Sequence, residues 1–199
     1  MFTCLAKAEN MTALTIALFM ILHSPALPSF PVAGDDAKSD LERFNGNIPF
    51  LISHFVTGYQ KELEGCPGVM ISNGKARGMV VWSRKTDAAA VNLIDAIEKS
   101  GIDDEHVQVY LVGFDTTPEK VREAVKELKL KHALAGSARP KWEQVEKLYK
   151  LDANVETVVF LAEARALKRV WVLKARELDE KKGKEIEGAA VEFLKGVGK

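Results

Sequence analysis

Residues 78–90, GMVVWSRKTDAAA, decide how this chain is read. Met79 to Trp82 is a short apolar run bounded by Gly78 and by polar residues, the pattern of a strand buried on both faces. Ser83 to Thr86 is a polar turn, and from Asp87 to Ser100 the period lengthens. Val91, Ile94 and Ile97 then share one helical face, and Gly101 stops the helix. Beyond it, Val107 to Val112 (VQVYLV) is a β-rich run, and because a helix separates it from the first strand the two pair in parallel. Thr116 or Thr117 caps the next helix, with Pro118 in its first turn and Val121, Ala124, Val125 and Leu128 as its buried stripe.

The C-terminal half continues in the same register. Lys131 to Ala135 is a further short strand, and residues 140–151 a helix with Trp142, Val145, Leu148 and Tyr149 in phase. Thr157 to Ala162 (TVVFLA) and Leu167 to Leu173 (LKRVWVL) form an antiparallel hairpin across Glu163 to Ala166, and Ile186, Ala190, Phe193, Leu194 and Val197 mark a final helix. Upstream, residues 48–63 fit a helical stripe by periodicity, although Ile52 to Val56 followed by Thr57-Gly58 also fits a strand and turn. Residues 64–77, with Gly65, Pro67, Gly68 and Asn73-Gly74, are expected to be loop or hairpin.

The 199 residues include 28 Lys and Arg against 28 Asp and Glu, interspersed without blocks, so no basic face for nucleic acid is expected. At 47% hydrophobic, the chain can build one proper core. Residues 1–34 read as a signal peptide: Lys7 is a weak positive flank, Thr12 to Leu22 an unbroken apolar core, and Val32, Ala33 and Gly34 small residues suited to cleavage. That core is shorter than the roughly 20 residues needed to span a bilayer. The expected mature protein is extracytoplasmic, periplasmic or secreted, and makes no membrane contact. Residues 35–47 read as a linker or a loose first turn. Of Cys4 and Cys66, only the second lies in the mature chain, which excludes an internal disulfide.

The segments VVWSRKTDAA, VQVYLVGFDTTPEKVREAVKELKLKHALA and YKLDANVETVVFLAEARALKRVWV resemble the redoxin branch of the thioredoxin superfamily: the alkyl hydroperoxide reductase and thiol-specific antioxidant proteins, and the periplasmic thiol-disulfide thioredoxins. In those families a strand ending in an aromatic residue meets the redox cysteines, a second strand leads to an Asp, and a Pro-Glu-Lys-Val helix follows. Trp82, Gly113-Phe114-Asp115 and Pro118-Glu119-Lys120-Val121 match these features. Ile48-Pro49-Phe50 with Val56-Thr57-Gly58 resembles the opening of redoxin domains and turns residues 48–63 toward strand and turn. The resemblance implies an α/β, thioredoxin-like domain over residues 48–199, with a central mixed sheet in the order β-α-β-α-(α)-β-β-α and helices on both faces.

The departures concern chemistry. Ser83 and Thr86 stand at the C-x-x-C spacing, and Glu156 stands where the fold usually carries a cis-proline facing the cysteines. A serine hydroxyl cannot exchange with a disulfide. The plainer role for these hydroxyls is to cap the helix that follows; the sharper one is an anion site in which Arg84 and Lys85 flank free N–H groups. Cys66, in Gly65-Cys66-Pro67-Gly68-Val69, is either a packed residue or a lone redox thiol that forms mixed disulfides or stops at sulfenic acid. His54, His106 and His132 lack ligand spacing, so no metal and no cofactor are expected. The expectation is a binding or scaffold module without dithiol activity, for a protein or small-molecule partner. Its rival is a single-cysteine thiol peroxidase or thiol-disulfide oxidoreductase using Cys66.

Overall fold

The computed structural model describes residues 40–73, 76–102 and 106–196. The expected signal segment and residues 35–39 lie outside them. The elements are β1 (Ser53–Phe55), β2 (Glu64–Gly65), α1 (Pro67–Asn73), β3 (Arg77–Ser83), α2 (Ala88–Lys99), β4 (Val107–Gly113), α3 (Pro118–Val125), β5 (Ala133–Ala138), α4 (Trp142–Tyr149), β6 (Val155–Glu163), β7 (Ala166–Lys174) and α5 (Glu180–Lys195). One seven-stranded sheet runs in the order β2-β1-β5-β4-β3-β6-β7. β3, β4 and β5 are parallel, while β6 and β7 on one side and β1 and β2 on the other are antiparallel. This is the mixed α/β architecture that the sequence implies.

The period-2 pattern of the central strands sorts the core into two layers. Met79 and Val81 of β3 and Val109 and Leu111 of β4 face α2, α3 and α5, where Ile94, Val121, Ile186 and Leu194 cover them. Val80, Trp82, Tyr110 and Val112 face the opposite side, under α1, α4 and Phe44. There the packing is aromatic: Trp82 meets Phe160 edge-on at 4.7 Å and Phe114 at 5.5 Å, while Phe114 meets Trp142 at 5.0 Å. Phe44 closes the group, 4.9 Å from Phe160 and 4.8 Å from Tyr149.

Four sequence expectations need correction. Of the two readings for residues 35–47, the linker fails in the described part, where 40–43 form a helical turn, Phe44 enters the core, and Asn47 bridges to Ala166. Within residues 64–77, expected as loop or hairpin, Glu64–Gly65 pairs antiparallel with β1, but Pro67–Asn73 is a helix, because Pro67 opens α1 at a position where its missing N–H is harmless. Ala124 and Leu148 face solvent although they are close in phase to the buried stripes, since α3 and α4 each dip only a narrow edge toward the sheet. The fifth strand begins at Ala133 rather than Lys131: the Glu98 carboxylate accepts the N–H groups of Lys131, His132 and Ala133 at 2.7, 2.8 and 2.9 Å and so diverts them from a ladder. Strand and turn do hold for residues 53–58, where β1 precedes a 3₁₀ turn at Gly58–Gln60.

Because Trp82 is fully buried among four aromatic neighbours, Trp82→Ala is expected to lower the unfolding free energy by about 3–5 kcal/mol in urea denaturation.

Candidate functional site

The C-terminal end of β3 gathers most of the residues singled out in the sequence. Ser83 is the last residue of the strand, fully buried, and stands in register between Gly113 of β4 and Thr157 of β6. The helix starts where the sequence period changes, at Asp87, four residues after Ser83. Asp87 is the N-cap of α2, its carboxylate accepting the Ala90 N–H at 2.9 Å. Ser83 Oγ accepts from the N–H of Thr86 at 3.0 Å and of Asp87 at 3.4 Å. The capping expected of Ser83 thus falls on the turn before the helix, and Asp87 caps the helix itself.

Thr86 makes no cap. Its φ is +56°, left-handed backbone that a β-branched residue rarely adopts, and its buried Oγ1 finds no hydrogen-bond partner among the described residues. The hydroxyl fits because Gly113 has no side chain: a Cβ there would lie 2.0 Å from Thr86 Oγ1.

Arg84 leaves the strand toward α4. Its Nε donates to Asp115 Oδ2 at 3.2 Å, its Nη1 to Ala153 O at 3.4 Å, and Nη1 stands 3.7 Å from Glu146 Oε1. Asp115 Oδ1 in turn accepts from Trp142 N at 3.3 Å. The main chain joins the same corner, with Arg84 N donating to Glu156 O at 2.8 Å and Asp115 N to Arg84 O at 2.7 Å. Glu156 therefore acts through its carbonyl, at the irregular start of β6 between Val155 and Thr157. The anion site expected at Arg84 and Lys85 does not assemble. Arg84 is already paired with carboxylates, Lys85 is exposed and makes no ion pair among the described residues, and the N–H groups of Thr86, Asp87 and Ala90 belong to Ser83 and Asp87.

Cys66 lies elsewhere. It precedes Pro67 of α1, is 7% exposed, and its Sγ accepts the Leu51 N–H at 3.3 Å. It lines a cavity of about 330 Å³ together with Asn47, Ile48, Phe50, Val69 and Arg165. Arg165 follows Glu163, which pairs with Arg77 at the start of β3, whereas Ser83 pairs with Thr157 at its end. Six residue steps of β6 separate these pairs, a span of about 20 Å at the ordinary strand rise. Cys66 thus cannot stand in for a cysteine at the β3–α2 turn. Two phenols lie on the Cys66 side of the sheet: burial pushes both Tyr110 and Tyr149 above the ordinary value, so both stay neutral, and Tyr110 donates to Gln108 Oε1 at 2.7 Å. Asp87, Glu146 and Arg165 were not picked out as site residues in the sequence. An Asp before an apolar helical run was the available signal for the first; nothing local marks the other two.

No family model matches the chain, and no curated protein matches it. Solved structures do. A peroxiredoxin-like protein from Aquifex aeolicus superposes at a TM-score of 0.50 with 15% identity, covering 74% of this chain and 85% of that one. The fold is thioredoxin-like. A secreted Mycobacterium tuberculosis disulfide oxidoreductase homologous to E. coli DsbE matches at 0.49 with 7% identity over 75% of this chain and 96% of its own. The copper-bound ScoI of Bradyrhizobium japonicum matches at 0.46 with 12% identity over 74% and 99%. Identities this low convey a fold and leave chemistry to the residues present. Among the described residues of this thioredoxin-like chain, no helix is long and apolar enough to cross a membrane.

Thr86 combines left-handed backbone with an orphaned hydroxyl, each costing about 1–3 kcal/mol. Thr86→Gly is expected to raise the unfolding free energy by about 1 kcal/mol in urea denaturation, the gain being trimmed by the greater freedom of glycine in the unfolded chain.

Proposed function

We propose that this chain is an exported thioredoxin-like binding module, without dithiol exchange chemistry, for a protein or small-molecule partner. One observation carries the reading: the start of α2 is closed by its own residues. A reactive thiolate at a helix start draws its stability from unpaired N–H groups and the helix dipole. Here Ser83 takes the N–H groups of Thr86 and Asp87, Asp87 takes that of Ala90, and the turn holds no sulfur. The apolar run at residues 12–22, ahead of small residues, supports export.

A second reading rests on a specific contact. Cys66 Sγ is held by the Leu51 N–H and lines a cavity, and as thiolate a cysteine attacks a peroxide oxygen to give sulfenic acid and water, or a disulfide sulfur to give a mixed disulfide and a released thiolate.

Insulin reduction by dithiothreitol and peroxide consumption, measured for the wild type and Cys66→Ser, separate the two. The binding module is expected to accelerate neither reaction; activity that disappears in Cys66→Ser would establish the thiol enzyme. N-terminal sequencing of the exported protein is expected to begin at Gly34 or Asp35, and an intact Met1 would overturn cleavage.

A further inference from the structure

The cavity beside Cys66 is assembled by main-chain bonds between distant segments. Ile48 N donates to Arg165 O at 3.3 Å, Ala164 N to Ala76 O at 2.9 Å, and Ser72 Oγ to Ala164 O at 3.3 Å. The tight β6–β7 turn, with Ala164 in the left-handed region, is thereby held against α1 and the segment before β1. Its volume, about 330 Å³, lies within the range of small-molecule sites.

The lining is of two kinds. Arg165 is the one charged lining residue, and its guanidinium makes no ion pair or hydrogen bond among the described residues. The nearby acid Glu163 is paired with Lys168. Beside this free cation stand Ile48, Phe50 and Val69, the last two 72% and 39% exposed and among the few large apolar side chains that the described fold leaves in water. A planar guanidinium matches a carboxylate with two parallel hydrogen bonds, and a single positive charge calls for a single negative one. Apolar side chains at the rim gain by covering an apolar body.

We infer that this cavity binds a small monocarboxylate carrying an apolar group, with the carboxylate on Arg165 and the apolar part against Ile48, Phe50 and Val69. The inference gives the proposed binding role a ligand class and rests on it for biological meaning. Insulin reduction by the wild type would overturn the loss of exchange chemistry without touching the titrations that follow.

Calorimetric titration of the full chain with 3-phenylpropionate and with its neutral amide tests the site. The acid is expected to bind at least tenfold more tightly than the amide. Arg165→Gln, at an exposed turn position without intramolecular partners, should bring the acid down to the level of the amide with an unchanged melting temperature. Val69→Glu, which sets a carboxylate into the cavity, should abolish binding of the acid. Equal binding of acid and amide, acid binding that survives either substitution, or binding of neither probe would overturn the proposal.

Discussion

β3 has no face or edge toward water. It is paired with β4 and β6 along its whole length, covered by helices on both sides, and buried from Gly78 through Ser83. A strand in that position must be apolar or internally satisfied at every residue, and its chain must reach solvent within a few residues of its end. The turn at residues 84–87 meets this demand with main-chain bonds to Glu156 and Asp115 and with the Ser83 hydroxyl. Arg84 adds two carboxylate partners at a half-exposed position, where ion pairs contribute about 0–1 kcal/mol and chiefly fix direction. The turn joins β3, β4, α4 and the start of β6.

The elements legible in the sequence are those whose local pattern coincides with their burial. β3, β4, β6 and β7 are apolar runs, and α2 repeats Val91, Ile94 and Ile97 against the sheet. Where the chain was misread, tertiary contacts overrode local signals. Pro67 and Gly68 read as breakers, yet Gly68 is small because α1 presses against Ile48, whose Cγ2 would lie 2.8 Å from an added Cβ. Phe44 is surrounded in sequence by polar and charged residues, and only the fold brings it to Trp82 and Phe160. At the junction, the helix start at Asp87 was legible in the change of period, whereas the left-handed backbone of Thr86 beside Gly113 and the α4 partner of Arg84 were not, because both depend on contacts distant in sequence.

The length of the sheet also separates two properties that a sequence reader would merge. The thiol and the strand–helix turn sit at opposite ends of β3 and share no side-chain contact, so changes at one should add independently to changes at the other. The geometry of the turn gives no information about the reactivity of Cys66, and the surroundings of Cys66 give none about the turn.

Thr86 and Gly113 behave differently. The hydroxyl of one occupies the volume in which the Cβ of the other would stand. The two positions compete for one space, with the Thr116 methyl 2.6 Å from the same point, so a side chain at 113 is admissible only when 86 has been cut back and Thr116 has moved aside. Evolution along this junction is ordered in consequence: position 86 has to shrink before position 113 can grow, and among descendants of such a chain the two should vary as a pair.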